Sequence, residues 1–185
     1  MGNLSLSSAL TTTERSREFW RSVLREGGFT EIPRWTLDPV AGFGEHEARI
    51  PDELVTALRR LANEFAVPFS SVLLAAHAKV LGALSGESEV CTGYASEPGS
   101  PLLLRMKLGR PSWREVLLDT ARAEAELLAH KDFPVEGLRG ELGLREPPFE
   151  TVFELRADGD KEIPDHTALR RPTCQRHDNQ ELTRR

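Results

Sequence analysis

The chain has 185 residues, 39% hydrophobic and 29% charged, with a formal net charge of -5. That composition suits one globular domain and excludes a disordered chain. The acidic balance argues against nonspecific nucleic-acid binding, which needs a basic footprint. No apolar run approaches the roughly 20 residues that span a bilayer. Met1-Gly2-Asn3-Leu4-Ser5-Leu6 lacks the basic start and apolar core of a secretory signal, and Leu6 stands where a myristoylation pattern wants a hydroxyl. Cys91 and Cys174 are the two cysteines; they give no disulfide framework and make a reducing cytoplasm the expected location.

Residues 1–11 are rich in Ser and Thr and read as a flexible N-terminus. Thr12 or Thr13 is placed to cap a helix through Glu26, with Phe19, Trp20, Val23 and Leu24 on one stripe and Gly27-Gly28 as its stop. Residues 29–44, with Pro33, Pro39, Gly42 and Gly44, predict an extended linker. Glu45 to Ile50 alternates in part and predicts a strand. Pro51 at the first helical position, with Asp52 and Glu53 behind it, opens an amphipathic helix carrying Leu54, Leu58, Leu61, Ala62 and Phe65. After Val67-Pro68, a helix from Phe69 or Ser70 to Leu84 is apolar on most faces and belongs in the core. Ser85-Gly86-Glu87 is its turn.

Strands follow at Glu89–Ala95 and Leu102–Leu108, joined through Glu97-Pro98-Gly99-Ser100-Pro101. Ser112 caps the next helix, to about His130, and Glu115 completes a capping box. Trp113, Val116, Leu117, Ala121, Ala125 and Leu128 form its expected buried side. A short helix over Pro134–Leu142 and a strand over Phe149–Leu155 complete the order α, β, α, α, β, β, α, α, β. Mixed strands between helices predict an α/β fold, a layered mixed sheet with flanking helices. Residues 157–185 turn polar, with Asp158-Gly159, Arg170-Arg171 and Arg184-Arg185, and are expected to be a poorly ordered tail or to wrap a partner.

Several of these segments fall in the order of a known family. The helix pair 51–65 and 68–84, then Leu84-Ser85-Gly86-Glu87 and a strand reaching Gly93, then Leu104-Arg105, Ser112-Trp113 and His130-Lys131-Asp132-Phe133-Pro134-Val135-Glu136, resembles the C-terminal lobe of a nonribosomal peptide synthetase condensation domain. Phe19-Trp20 and the strand 149–155 extend the resemblance over roughly residues 14 to 156, within a lobe assigned to 12–156. It implies one lobe of the chloramphenicol acetyltransferase-like fold. The family joins an acyl or peptidyl thioester on one carrier protein to an amine on another, without metal or diffusible cofactor. Two departures stand out. The family's pair of adjacent histidines, followed after three residues by Asp-Gly, is missing, since Asp158-Gly159 has no histidine pair ahead of it. The segment between Gly93 and Leu104 is shorter than the family's, which puts an intact two-lobe tunnel in doubt.

Condensation chemistry needs a histidine that orients or deprotonates an amine. His77 sits mid-helix and reads as a core or helix-surface residue. His130 ends the long helix, where its charged form favours the C-terminus and where Asp132 or the following loop is within reach; the resemblance makes it structural. His46 lies on the edge of the predicted strand, and His166 and His177 in the tail. Cys174 and His177 are three apart, but a zinc site needs two further ligands and no second pair accompanies them. Asp132 and Glu136 are read as capping the short helix rather than as a catalytic carboxylate pair. The nucleophile-elbow and phosphate-loop glycine patterns are absent.

No catalytic, cofactor-binding or metal residue is therefore assigned, and no cofactor is expected. The expected role is a partial, noncatalytic condensation-like protein of nonribosomal peptide and antibiotic biosynthesis, a scaffold or docking partner that is not active alone. One alternative is that it complements a separate catalytic lobe to form an amide-forming acyltransferase. Another is an unrelated α/β interaction module. A half-fold leaves apolar surface around Trp20, Phe65 and Trp113 uncovered, so the expected partner is a carrier protein, an adenylation protein, the missing N-terminal lobe or a second copy. Neither nucleic acid nor membrane is expected.

Overall fold

The computed structural model describes residues 3–34, 38, 44–95, 100–109, 112–144 and 148–156, with side chains from Thr12 onward. The tail 157–185, with Asp158-Gly159, His166, Cys174 and His177, lies outside the described residues, as do Trp35 and the Glu97-Pro98-Gly99 turn. Within the unit Met1–Leu155 the elements run α1 (Asn3–Glu26), α2 (Asp52–Glu64), α3 (Phe69–Ser85), β1 (Glu89–Ala95), β2 (Leu102–Lys107), α4 (Trp113–Ala129), α5 (Val135–Glu141) and β3 (Val152–Glu154).

Helix α1 starts at Asn3, well before the Thr12 or Thr13 cap. Residues 3–11 hold no Gly or Pro, and Leu4, Leu6, Ala9 and Leu10 are good helix formers, so nothing in that stretch stops the helix from reaching back. Gly27, at φ +62°, ends it. Pro51 is the cap of α2 rather than its first residue, with Asp52 and Glu53 in the first turn as predicted. The strand predicted over Glu45–Ile50 is not formed. Residues 44–50 are exposed and irregular, because Ala48 and Ile50 are their only apolar side chains and no sheet edge receives them.

Helix α3 closes on Gly86 in the left-handed conformation, φ +77°, a geometry that favours glycine. The sheet order is β2-β1-β3, with β1 antiparallel to β2 and parallel to β3. The register Val90↔Met106, Thr92↔Leu104 and Tyr94↔Leu102 puts these six side chains on one face, where α3 and α4 pack. On the other face Arg105 bridges Glu26 at 3.1 Å and Glu89 at 3.3 Å. Thr30, fully buried, accepts the Cys91 amide at 2.9 Å and donates to Glu87 at 2.8 Å. The segment after α1 thus satisfies backbone on the side of β1 that faces β3.

Ser112 and Glu115 form the predicted capping box on α4. The buried side of that helix is Val116, Leu117, Thr120, Glu124 and Leu127, not the full set predicted. Ala125 is exposed, and Trp113 is 62% exposed because, as the first residue of the helix, it projects past the packed layer. Trp20, by contrast, is completely buried and Phe65 half-buried. Of the predicted strand 149–155 only Val152–Glu154 pairs, since Phe149 turns onto Gly93 instead.

Two glycines separate packing from propensity. A Cβ on Gly93 falls 2.6 Å from the Phe149 ring, whereas one on Gly137 meets nothing within 4 Å. Gly93→Ala is expected to destabilise by about 1–3 kcal/mol, as overpacking does. Gly137→Ala, inside α5, is expected to be neutral or to stabilise by up to about 1 kcal/mol. Denaturant midpoints measured side by side check both.

Candidate functional site

Polar side chains converge at two places in the lobe. The first lies where α3 and α4 meet the sheet. Glu124 projects from the apolar side of α4 and is 2% exposed. Its carboxylate accepts from the Tyr94 hydroxyl of β1 at 2.6 Å and from the Ser71 hydroxyl in the first turn of α3. A buried carboxylate is tolerable only with such donors, and the positive end of the α3 dipole adds to them. Burial, and then the hydrogen bond to Glu124, push the Tyr94 phenol far above its usual range. Tyr94 is therefore a fixed neutral donor.

Next to this group, His77 Nε2 lies 3.2 Å from Thr92 Oγ1. The Thr92 hydroxyl also contacts the Thr151 carbonyl at 3.1 Å and the Thr151 hydroxyl at 3.0 Å. The Thr92 hydroxyl has one proton for these contacts and for the Gly93 carbonyl at 3.4 Å, so the direction of the His77–Thr92 bond follows the imidazole tautomer. Burial holds the His77 pKa below the usual value and favours the neutral ring. The ring also packs against Phe153, 5.5 Å between centroids. The arrangement ties α3 to the β1–β3 pair.

The second convergence is His130. Its Nδ1 is 2.9 Å from Ser16 Oγ, its carbonyl accepts the Trp20 indole N–H at 2.9 Å, and its ring stacks on Phe19 at 4.4 Å. All three contacts come from α1, so His130 fastens that helix to the end of α4. Asp132 is exposed, and Glu136 is exposed and ion-paired with Arg139 at 2.9 Å, one turn on. His46 stands in the exposed segment 44–50. Cys91 is buried, and burial, the largest influence on it, raises its thiol pKa. Among the described residues no three His, Cys, Asp or Glu side chains converge as a metal-ligand set.

Sequence reasoning singled out His77 and His130 but not Glu124, Thr92, Thr30 or Ser16. For Glu124 a signal existed. It lies four residues after Thr120 and three before Leu127, within the apolar stripe of α4.

No family model matches the chain. In sequence it is 31% identical over 134 residues to AMB antimetabolite synthetase AmbE of Pseudomonas aeruginosa, covering 65% of this chain and 6% of that protein. A linear gramicidin synthase of Brevibacillus parabrevis is 30% identical over 146 residues, covering 69% of this chain and 3% of that one. In structure, the first condensation domain of the CDA synthetase superposes with a TM-score of 0.55 at 21% identity, over 81% of this chain and 36% of the other. The chain has the fold of one condensation-domain lobe.

The EpoB cyclization-docking bidomain from Sorangium cellulosum agrees, with a TM-score of 0.59 at 18% identity over 77% of this chain and 34% of that one. This shared fold, together with the sequence relatives, counts against the alternative of an unrelated α/β module. Within the condensation-domain lobe, Leu104-Arg105 lies on β2, Ser112-Trp113 opens α4, and His130 to Glu136 spans the α4–α5 junction. The lobe accounts for about a third of each of these solved chains.

Two measurements probe the two convergences. Because the folded pKa of His77 lies below the unfolded value of 6.5, the unfolded chain binds more protons between them. The stability this histidine confers is complete above the unfolded value and is lost as pH falls from there toward the folded pKa. His77→Leu is expected to flatten that part of the stability–pH curve, read from denaturant midpoints between about pH 8 and pH 5. His130→Ala removes the Ser16 bond and the Phe19 stack and is expected to cost about 1–3 kcal/mol. Hydrogen exchange is expected to show the loss concentrated in α1.

Proposed function

We propose that this chain acts in nonribosomal peptide biosynthesis as a noncatalytic condensation-type lobe, a scaffold or docking partner for other parts of a synthetase. The observation that carries this reading is the pairing of a condensation-lobe fold with histidines committed to packing. His130 is engaged by three groups of α1, and His77 lies against Thr92 with its pKa held down by burial. No two histidines are adjacent in the sequence. A general base for amide formation must reach the attacking amine, and one nitrogen of each ring is already engaged within the lobe, His130 Nδ1 by Ser16 and His77 Nε2 by Thr92. Partners of matching kind are a carrier protein, an adenylation protein or a histidine-bearing lobe.

The second reading, completion of an amide-forming acyltransferase with a separate catalytic lobe, is favoured by one observation. The matched lobe contains no adjacent histidine pair, so catalytic histidines would come from outside it.

One reconstitution separates the two. The purified chain is mixed with carrier proteins loaded with donor thioester and acceptor aminoacyl thioester, with and without a histidine-bearing condensation lobe. Binding is followed by calorimetry and amide product by mass spectrometry. The expected result is binding without product from the chain alone. Product from the chain alone overturns the noncatalytic role. Product that requires both lobes establishes the second reading, and absence of any binding removes the docking role.

A further inference from the structure

The outward side of α3 carries a surface that the fold leaves uncovered. Ser71, Val72, Leu74, Ala75, Ala78 and Leu81 face inward and are buried. On the opposite side Ala76, Val80, Ala83 and Leu84 recur at i, i+4, i+7 and i+8 and are exposed, Val80 to 57% and Leu84 to 47%. This charge-free stripe runs about 12 Å along the helix. Trp113 flanks it from the start of α4, with Lys79 Nζ 5.7 Å from its ring centroid.

Two more cations sit on rings in the same helical layer. Arg114 lies 5.8 Å from the Phe65 ring and Arg59 5.0 Å from the Phe69 ring. None of the three cations forms an ion pair among the described residues. Glu115, the acid next to Arg114, is engaged by the Ser112 amide at 2.7 Å and hydroxyl at 2.9 Å. In a chain of net charge -5, Lys79 thus adjoins the stripe on α3, Arg114 follows Trp113 on α4, and Arg59 lies over Phe69 at the start of α3.

We propose that this face docks an acidic amphipathic helix of a partner protein, a proposal that rests on the docking role above and names its partner's chemistry. The stripe offers the spacing that an apolar helix face fills, and Trp113 supplies an exposed aromatic anchor. The unpaired cations select acidic residues at the rim of the partner helix. A second copy of this chain fits poorly. An isologous contact sets the same patch against itself, and Lys79, Arg114 and Arg59 would meet their own kind.

The test uses the full chain and two synthetic amphipathic helices, one with leucine on one face and glutamate elsewhere, the other with lysine in place of glutamate. Calorimetry is expected to show the glutamate helix binding at least about tenfold tighter than the lysine helix, with affinity falling as salt rises. Val80→Glu and Leu84→Glu, both at exposed positions, are expected to abolish binding. The double variant K79E/R114E is expected to reverse the charge preference. Equal binding of both helices, binding of neither, or binding indifferent to Val80→Glu overturns the proposal. A dimer in light scattering that Val80→Glu dissociates assigns the face to a second copy instead. The same variants are tested for binding to the loaded carriers and the histidine-bearing lobe. Partner binding that survives Val80→Glu overturns this face and leaves the docking role standing; a wild-type chain that binds no partner at all overturns the role itself.

Discussion

The lobe depends on one buried carboxylate. Glu124 of α4 holds the Tyr94 hydroxyl of β1 and the Ser71 hydroxyl of α3 at once. A carboxyl group left without partners inside a protein is costly, so α4 settles best on the sheet with both donors in place. Apolar packing is nondirectional and would tolerate α4 slid or rotated along α3. The carboxylate is not so tolerant, because its two oxygens are each aimed at a donor on a different element. Glu124 fixes the register of the helical layer against β1, and Leu74, Val116 and Leu127 of the same helices pack at full burial.

Two smaller polar devices work outward from that centre. His77 and Thr92 tie α3 to the β1–β3 pair, and Thr30 ties the segment after α1 to the backbone of Cys91. Each uses a short β-branched hydroxyl, a group that can both donate and accept, which is why a single threonine can serve backbone and side chain together. On the far side His130 anchors α1 through three separate contacts. Histidine at this junction packs and hydrogen-bonds against α1.

Features written in local sequence were legible. The Ser112–Glu115 capping box, the Gly86 stop and the extent of β1 depend on neighbours within a few residues, and each is found where the sequence places it. Features that depend on a distant partner were not. Glu45–Ile50 alternates as a strand does, yet a strand exists only where an edge receives it. Trp113 falls on the apolar stripe of α4, but at the first helical position the layer beneath it has already ended. The polar core was hidden for a related reason. Residue type makes Glu124, Thr92 and Thr30 look like surface, and only their partners, 15 to 61 residues away, make burial affordable.

The distribution of satisfied and unsatisfied surface bears on what such a lobe can be. If the lobe were held together only by a partner, its interior would be the incomplete part. Instead Trp20 is fully covered, Glu124 has both its donors, and β1, the central strand, is paired on both sides. What remains open is outside: the α3 stripe, Trp113 and the cations over their rings. Surface of that kind is stable in water because the cations are solvated and the apolar side chains are spread along one helix. Association at such a face is an addition to a formed fold rather than a condition of folding. Under the proposed role the lobe would bind as a pre-formed unit, with affinity set by a few anchors and by charge at the rim, and not as a segment that orders only on binding.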